Sequence, residues 1–373
     1  MFINVDKTGS VEAFKTNIES LTANEAVKGL LILACDENGF TPETIDPLLT
    51  SLTIPVMGGV FPQIIHGAEN LSRGTILAGL TTAPNVQFIP GLTDPSVEYE
   101  TLIDEKFPDI GDAQTMYVFV DGLGNRIVDL LDSLFNIFGL ELNYVGGGAG
   151  SLSFVQRPCL FTNDGLKEDG AVLALANTAS GVGVGHGWES IRGPFKVTES
   201  HQNVLKTLDW QPAFVVYRQV VEEVSGKTFT ADNFFDISKG YPFGINKVGS
   251  EKIVRDPIAK GENDTIMMVE GIPQESFVDI LTGDNQSLVS AAQRAYQQGK
   301  DSFPGSAQES WTFFIDCISR VLFMEDEFGK ELSAVHEADI PLIGALTLGE
   351  IANSGDDYLE FYNKTAVIAV LES

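Results

Sequence analysis

Basic residues are scarce in this chain. Lys and Arg number 23 against 52 Asp and Glu, a formal net charge of −29 over 373 residues. Such a surface repels phosphate backbones and anionic lipid headgroups, and no basic patch or stripe interrupts it, so neither nucleic acid nor a membrane is an expected partner. Its plain reading is solubility. Cysteine is scarce as well. Cys35, Cys159 and Cys317 are odd in number, far apart and without a CxxC pair, which disfavours a disulfide framework or a zinc knuckle and fits a reducing compartment. Apolar runs fall short of the ~20 residues that a membrane helix needs. The opening Met1-Phe2-Ile3-Asn4-Val5-Asp6 lacks a basic region followed by an apolar stretch, so no signal peptide is read and a cytoplasmic location is the expectation.

The common catalytic signatures are missing too. Gly226-Lys227-Thr228 has Val221 where a phosphate-binding loop needs its first glycine, and His336-Glu337 is followed by Ile340 where a zinc protease needs its second histidine. No GxSxG elbow occurs. Gly122-Leu123-Gly124 lacks the third glycine of a dinucleotide fingerprint at Ile127, and Cys317 and Arg320 lie too close together for a phosphatase loop. The expectation is a protein that is not an enzyme, with a cysteine-dependent reaction at Cys317 as the competing reading.

What is present is an ordinary globular composition, 43% hydrophobic and 20% charged, with length for two or three domains. A pattern recurs along it. Gly29–Asp36 is an apolar strand, followed by a helix from Pro42, a strand Ile54–Gly59 and a further strand Gly74–Leu80. Tyr117–Gly122, Leu142–Gly148 and Gly170–Leu175 repeat the order, as do Trp311–Cys317, Ile340–Ala345 and Lys364–Leu371. Apolar runs without alternation suit strands buried on both faces. Ile127, Leu130, Leu131, Leu134 and Phe138 make one helical stripe, and Thr41 with Pro42 reads as a helix start. Between the second and third units, helices are read over 212–224 and 285–298, strands over 253–258 and 265–270, and a turn over 239–244. The fold expectation is α/β to α+β: mixed sheets flanked by helices, built from repeated β-α-β-hairpin units, in two packed domains at 1–208 and 209–373. Two sheets face to face with helices outside would satisfy the pattern.

Candidate functional residues are few. In Gly181-Val182-Gly183-Val184-Gly185-His186-Gly187-Trp188 the glycines fall on one face of an extended strand, which points to a closely approaching backbone or to a ligand wall. With four histidines in the chain, His186 is the first candidate for a metal or haem ligand. Cys317 and Arg320 share a face if their stretch is helical; either the guanidinium lowers the pKa of the thiol beside it and makes an anion site, or the pair is a small buried Cys and a surface Arg held in an ion pair. Glu350 follows a glycine turn and either faces Arg320 or a ligand amine, or is a solvated charge.

Ordered fragments along about nine-tenths of the chain resemble the FIST family, a tandem of N-terminal and C-terminal FIST domains. In the first half they are Val145–Gly150, Asp169–Val172, Gly185–Trp188 and Val197-Thr198. In the second half they are Pro212-Ala213, Tyr241-Pro242-Phe243-Gly244, Val254-Arg255, Glu270-Gly271, Cys317–Arg320 and Leu348–Ile351. The resemblance implies a sensory module that binds a small ligand such as an amino acid and signals to a separate partner, for instance a histidine kinase or a cyclic-dinucleotide enzyme. Its alternative is a nitric oxide sensor holding haem b through His186. The binding site is expected in a cleft between the domains, lined by Gly147, Gly148, His186, Trp188, Arg255, Cys317, Arg320 and Glu350. The chain departs from the family pattern at Gly344-Ala345, where the other units have two glycines, and at Val321.

Overall fold

The computed structural model of the chain describes residues 1–247, 251–306, 309–353 and 357–373. Local signals place most elements. The stripe Ile127, Leu130, Leu131, Leu134 and Phe138 becomes the buried face of helix Ile127–Phe138. Helix Pro42–Leu49 starts at Thr41, whose backbone N–H donates to the Thr44 hydroxyl at 3.1 Å. Helix Ala213–Ser225 stops at Gly226, which takes φ 66°, a left-handed value that glycine adopts without strain. Helix Asn285–Ser302 is capped by Asp284, whose carboxylate accepts the Ser287 N–H at 2.7 Å; it runs past Gln298 to Ser302.

Three sheets of six strands share one strand order. In the first, Gly29–Cys35 lies parallel to Val56–Phe61 and antiparallel to Thr75–Leu80, with Phe2–Asp6 outside it. In the second, Thr115–Asp121 lies between Asn143–Ala149 and Gly170–Ala176, with Asn85–Pro90 outside. In the third, Ser310–Cys317 lies between Leu342–Thr347 and Ala366–Glu372, with Ser180–Gly185 outside. The fifth and sixth strands of each sheet are a hairpin borrowed from another unit. Gln63–His66 with Glu69–Leu71 joins the third sheet, Leu160–Thr162 with Gly165–Lys167 joins the first, and Glu350–Ala352 with Glu360–Tyr362 joins the second. The exchange is cyclic, so each sheet is completed by its neighbour.

Glycine has a definite task in this arrangement. A Cβ at Gly58, Gly146 or Gly344 would lie 1.8–1.9 Å from the carbonyl oxygen of Ile32, Val118 or Phe314, the residue paired with it on the parallel strand. The three positions correspond, and no side chain fits at any of them.

The expectation of two facing sheets is replaced by three sheets around one shared core. Alternate residues of the central strands point inward, and Phe119 of the second sheet meets Phe61 of the first at 6.2 Å and Phe313 of the third at 6.3 Å, both edge to face. The outer faces carry helices: Met116, Val118 and Val120 pack in the cluster of Leu130, Leu131 and Leu134, and Phe314 packs with Ala292, Ala295 and Leu332.

A fourth sheet runs Ile253–Arg255, Phe243–Ile245, Phe277–Thr282, Glu189–His201, Val204–Leu208, Ile266–Met268, Pro257–Lys260. The expected single strand 253–258 is broken at Asp256, and its pieces occupy the two edges of this sheet. Edges one residue apart in the chain require the sheet to curl back on itself. The turn read over 239–244 ends earlier, and Phe243–Ile245 is a strand. Strands on both sides of residue 208 share this sheet and the third one.

Candidate functional site: a buried charge network behind an open cleft

Strands 310–317 and 342–347 run parallel, and their carboxyl ends open onto the place where α/β sheets commonly carry sites. There Asp316, Arg320, Glu331, Glu350 and Lys364 all have 0% exposure. Helix Ile318–Met324 begins just after Cys317 and turns the Arg320 side chain inward. Its guanidinium donates to Glu331 Oε1 at 3.1 Å through Nε and 2.5 Å through Nη2, and Asp316 Oδ1 lies 3.1 Å from Nε. It also donates to the carbonyls of His186 at 2.7 Å, Lys364 at 3.1 Å and Leu288 at 3.1 Å. One planar donor fork thus joins two strand ends, two helices and a turn. Lys364, at φ 53°, sends its ammonium to the carbonyl of Lys239 at 3.0 Å and to Asp256 at 3.1 Å, over the face of the Trp188 ring.

Burial governs the protonation states. It pushes the Asp316 carboxyl well up, with Glu331 adding to the push and Arg320 opposing it. It raises Glu350 to about 8, against the Thr365 N–H and the Cys317 and Thr347 side chains that steady the charged form. The Cys317 thiol is pushed up by burial and by Glu350. The expectation that Arg320 activates this thiol is therefore corrected: the guanidinium is spent on Asp316 and Glu331, and the thiolate that a nucleophile requires is disfavoured.

His186 Nδ1 accepts the Trp188 backbone N–H at 2.9 Å, and Nε2 stands 3.5 Å from Glu251. Burial, with Arg320, lowers its pKa to about 4, so the ring is neutral and carries its proton on Nε2. An axial ligand must offer a bare nitrogen, and the only bare one is held by Trp188. These residues do not fit a haem iron. Among the described residues no group of three or more His, Cys, Asp or Glu is placed to hold a metal ion.

The remaining candidates are drawn into the same neighbourhood but are filled by protein. Gly147 pairs with Glu350, and a Cβ there would meet the Gly349 oxygen at 2.8 Å; one at Gly148 would meet the Leu348 oxygen at 2.8 Å. Arg255 is buried and donates to the carbonyls of Phe361, Val254 and Gly271. The glycine face of 181–187 lies on helix Asn285–Ser302, with added Cβ atoms 1.9–2.7 Å from its backbone. Of its two readings, close packing is the one realised.

An open cleft of about 570 Å³ lies against this network. Its walls are Asp236, Ile237 and Lys239 to Tyr241, then Thr282, Gly283 and Asn285 around the start of a helix, and Phe323 to Glu327, with Lys227. Phe323 packs edge to face on Trp188 at 5.0 Å, and the Lys239 carbonyl receives Lys364 from behind. Residues 29–211 match the FIST N domain and residues 213–353 match the FIST C domain. The chain belongs to the FIST domain family. No curated protein matches it. FIST domains are associated with small-ligand sensing in signalling proteins.

Every wall residue of the cleft falls inside the FIST C domain; the FIST N half contributes Trp188 to the layer behind. None of the eight residues singled out from sequence lines the cleft itself. Sequence reasoning missed Asp316, Glu331, Lys364 and Asp256 in the network, and Asp236, Phe323 and Glu325–Glu327 in the cleft. A signal existed for two of them: Asp316 follows a run of buried apolar residues near the end of its strand, and Lys364 stands two residues before another. No helix among the described residues is long and apolar enough to cross a membrane.

Proposed function

We propose that this FIST protein is a sensor that binds a small molecule reversibly in the cleft of its FIST C domain and reports the event to a separate protein. The observation that carries this reading is a roomy cleft with one wall, from helix Ile318–Met324, seated on the buried charge network. Phe323 faces the ligand space while Arg320, on the same helix, is tied to His186, Leu288, Lys364 and Glu331. A ligand that prefers one position of Phe323 would bias the helix, and through Arg320 the strand ends of the third sheet. The polar lining with Phe323 and Tyr241 suits a small amphiphilic metabolite, and an amino acid is the class that the family resemblance suggests.

A thermal-shift screen with the amino acids, amines and haem tests the reading. A ligand that binds the folded state must raise the melting temperature with concentration. The expected result is a saturable rise for a cleft ligand that is lost in Phe323→Ala. A flat response across the whole panel counts against the reading.

A further inference from the structure

The three sheets carry equivalent seams to their borrowed strands, and one seam holds an acid where the other two hold a hydrocarbon. The borrowed strand of the first sheet sets Leu160 against Gly59, that of the third sets Ile64 against Ala345, and that of the second sets Glu350 against Gly147. All three borrowed residues have 0% exposure. Glu350 shares its face of the strand with Ala352, which packs in the shared core. Its carboxylate accepts the Thr347 hydroxyl at 3.2 Å and the Thr365 N–H at 3.1 Å, both neutral donors. The charged and titratable groups around it leave it no counter-charge. Arg320 is held by Asp316 and Glu331, and Lys364 by Asp256. Arg255 donates to three carbonyls and has Glu270 and Glu360 as its nearest opposite charges. The Cys317 thiol is neutral, and Tyr362 is the pair of Glu350 on the neighbouring strand. We propose that Glu350 is a proton-binding site: protonated, it fastens the FIST C strand Glu350–Ala352 to the FIST N sheet, and on losing its proton it loosens that strand. A carboxylate there regains water only by leaving the core with its strand. Three residue pairs hold the strand to Asn143–Ala149, against seven between Asn143–Ala149 and Thr115–Asp121, so the borrowed strand is the piece that gives way. Its departure bares Asn143–Ala149 as a sheet edge and turns a change in acidity into a change at the junction of the two domains.

The test is hydrogen exchange followed by mass spectrometry on the full chain across a pH series, each rate corrected for the chemical exchange rate at that pH. Glu350 titrates at about 8 in the closed seam and at 4.5 once the strand is in water. Exchange across 143–149 and 350–352 should therefore rise about tenfold per pH unit through that window and level off above it. Strand Gln63–His66, which carries Ile64 at the corresponding position, should show no such rise. Glu350→Gln keeps an acceptor for the Thr365 N–H and should abolish the rise; Glu350→Leu, which installs the side chain of the first seam, should abolish it as well. Equal rises at 63–66 and 350–352 mean that the whole molecule opens, and overturn the proposal. A rise that persists in Glu350→Gln assigns the proton to another group and overturns it too, as does a flat profile in the unsubstituted protein.

Discussion

The first and third sheets place a cysteine at the same point, the last residue of the central strand, and surround it differently. Cys35 pairs with Phe61 and donates to the Leu71 carbonyl at 3.1 Å, in apolar company. Cys317 pairs with Thr347 and is surrounded by Asp316, Glu350 and Ser319. Three residues further on, Asn38 makes a neutral two-way hydrogen bond with the Gly74 backbone, while Arg320 carries the buried charge network. The strand scaffold is common to both, and the chemistry resides in a handful of side chains at its rim. A framework held by strand order and bare glycine positions leaves its rim free to vary.

Several experiments would break or sharpen that comparison. The largest effect is expected from dividing the chain. Because hairpin 63–71 completes the third sheet, and strands Glu350–Ala352 and Glu360–Tyr362 complete the second, residues 1–208 expressed alone should lose cooperative melting. Adding residues 209–373 should restore it, read by circular dichroism. Autonomous two-state melting of either half would show that the exchanged hairpins are dispensable. Next, Arg320→Met should cost about 3–5 kcal/mol in chemical denaturation, since it leaves Asp316 and Glu331 buried without a counter-charge. Asn38→Ala, its counterpart in the first sheet, should cost only about 1 kcal/mol. Comparable losses would erase the distinction between the two rims.

The shared framework predicts equality instead. Gly146→Ala and Gly344→Ala each drive a methyl into a carbonyl of the neighbouring strand and should destabilise by about 1–3 kcal/mol alike. A clear inequality in denaturant midpoints would show that the two sheets are not equally close-packed there. The last comparison is read in the pH dependence and not in stability at one pH: Glu350→Gln. With its folded pKa raised to about 8 from 4.5, the folded state holds a proton that the unfolded state releases between those values. Stability from this group is thus present at low pH and falls as pH rises from 4.5 to 8. Glu350→Gln should flatten that decline, measured as melting temperature against pH; an unchanged slope would mean that Glu350 is charged in the folded protein.

Much of the framework was legible because it is local. The stripe from Ile127 to Phe138, the start at Thr41-Pro42 and the stop at Gly226 each need only a few neighbours in sequence to be read. The apolar runs read at 29–36, 117–122 and 311–317 announced strands covered on both faces. The site was legible only in part, because it is assembled at long range. His186, Trp188, Cys317, Arg320 and Glu350 do meet, yet what they meet with, Glu331 and Lys364, carries no spacing that ties it to them. Glycine was ambiguous for a physical reason: a missing side chain admits a ligand or another backbone equally, and at 147, 148 and 181–187 the backbone came. The three acids at 325–327 look like any solvated turn until the fold sets them in one cleft with Tyr241.

The cyclic exchange of hairpins also has a consequence for biosynthesis. The first unit emerges from the ribosome with its hairpin at 63–71 facing a partner strand, Leu342–Thr347, that is translated near the end of the chain. At synthesis rates of about 5–20 residues per second, that exposed edge waits on the order of tens of seconds before it can close.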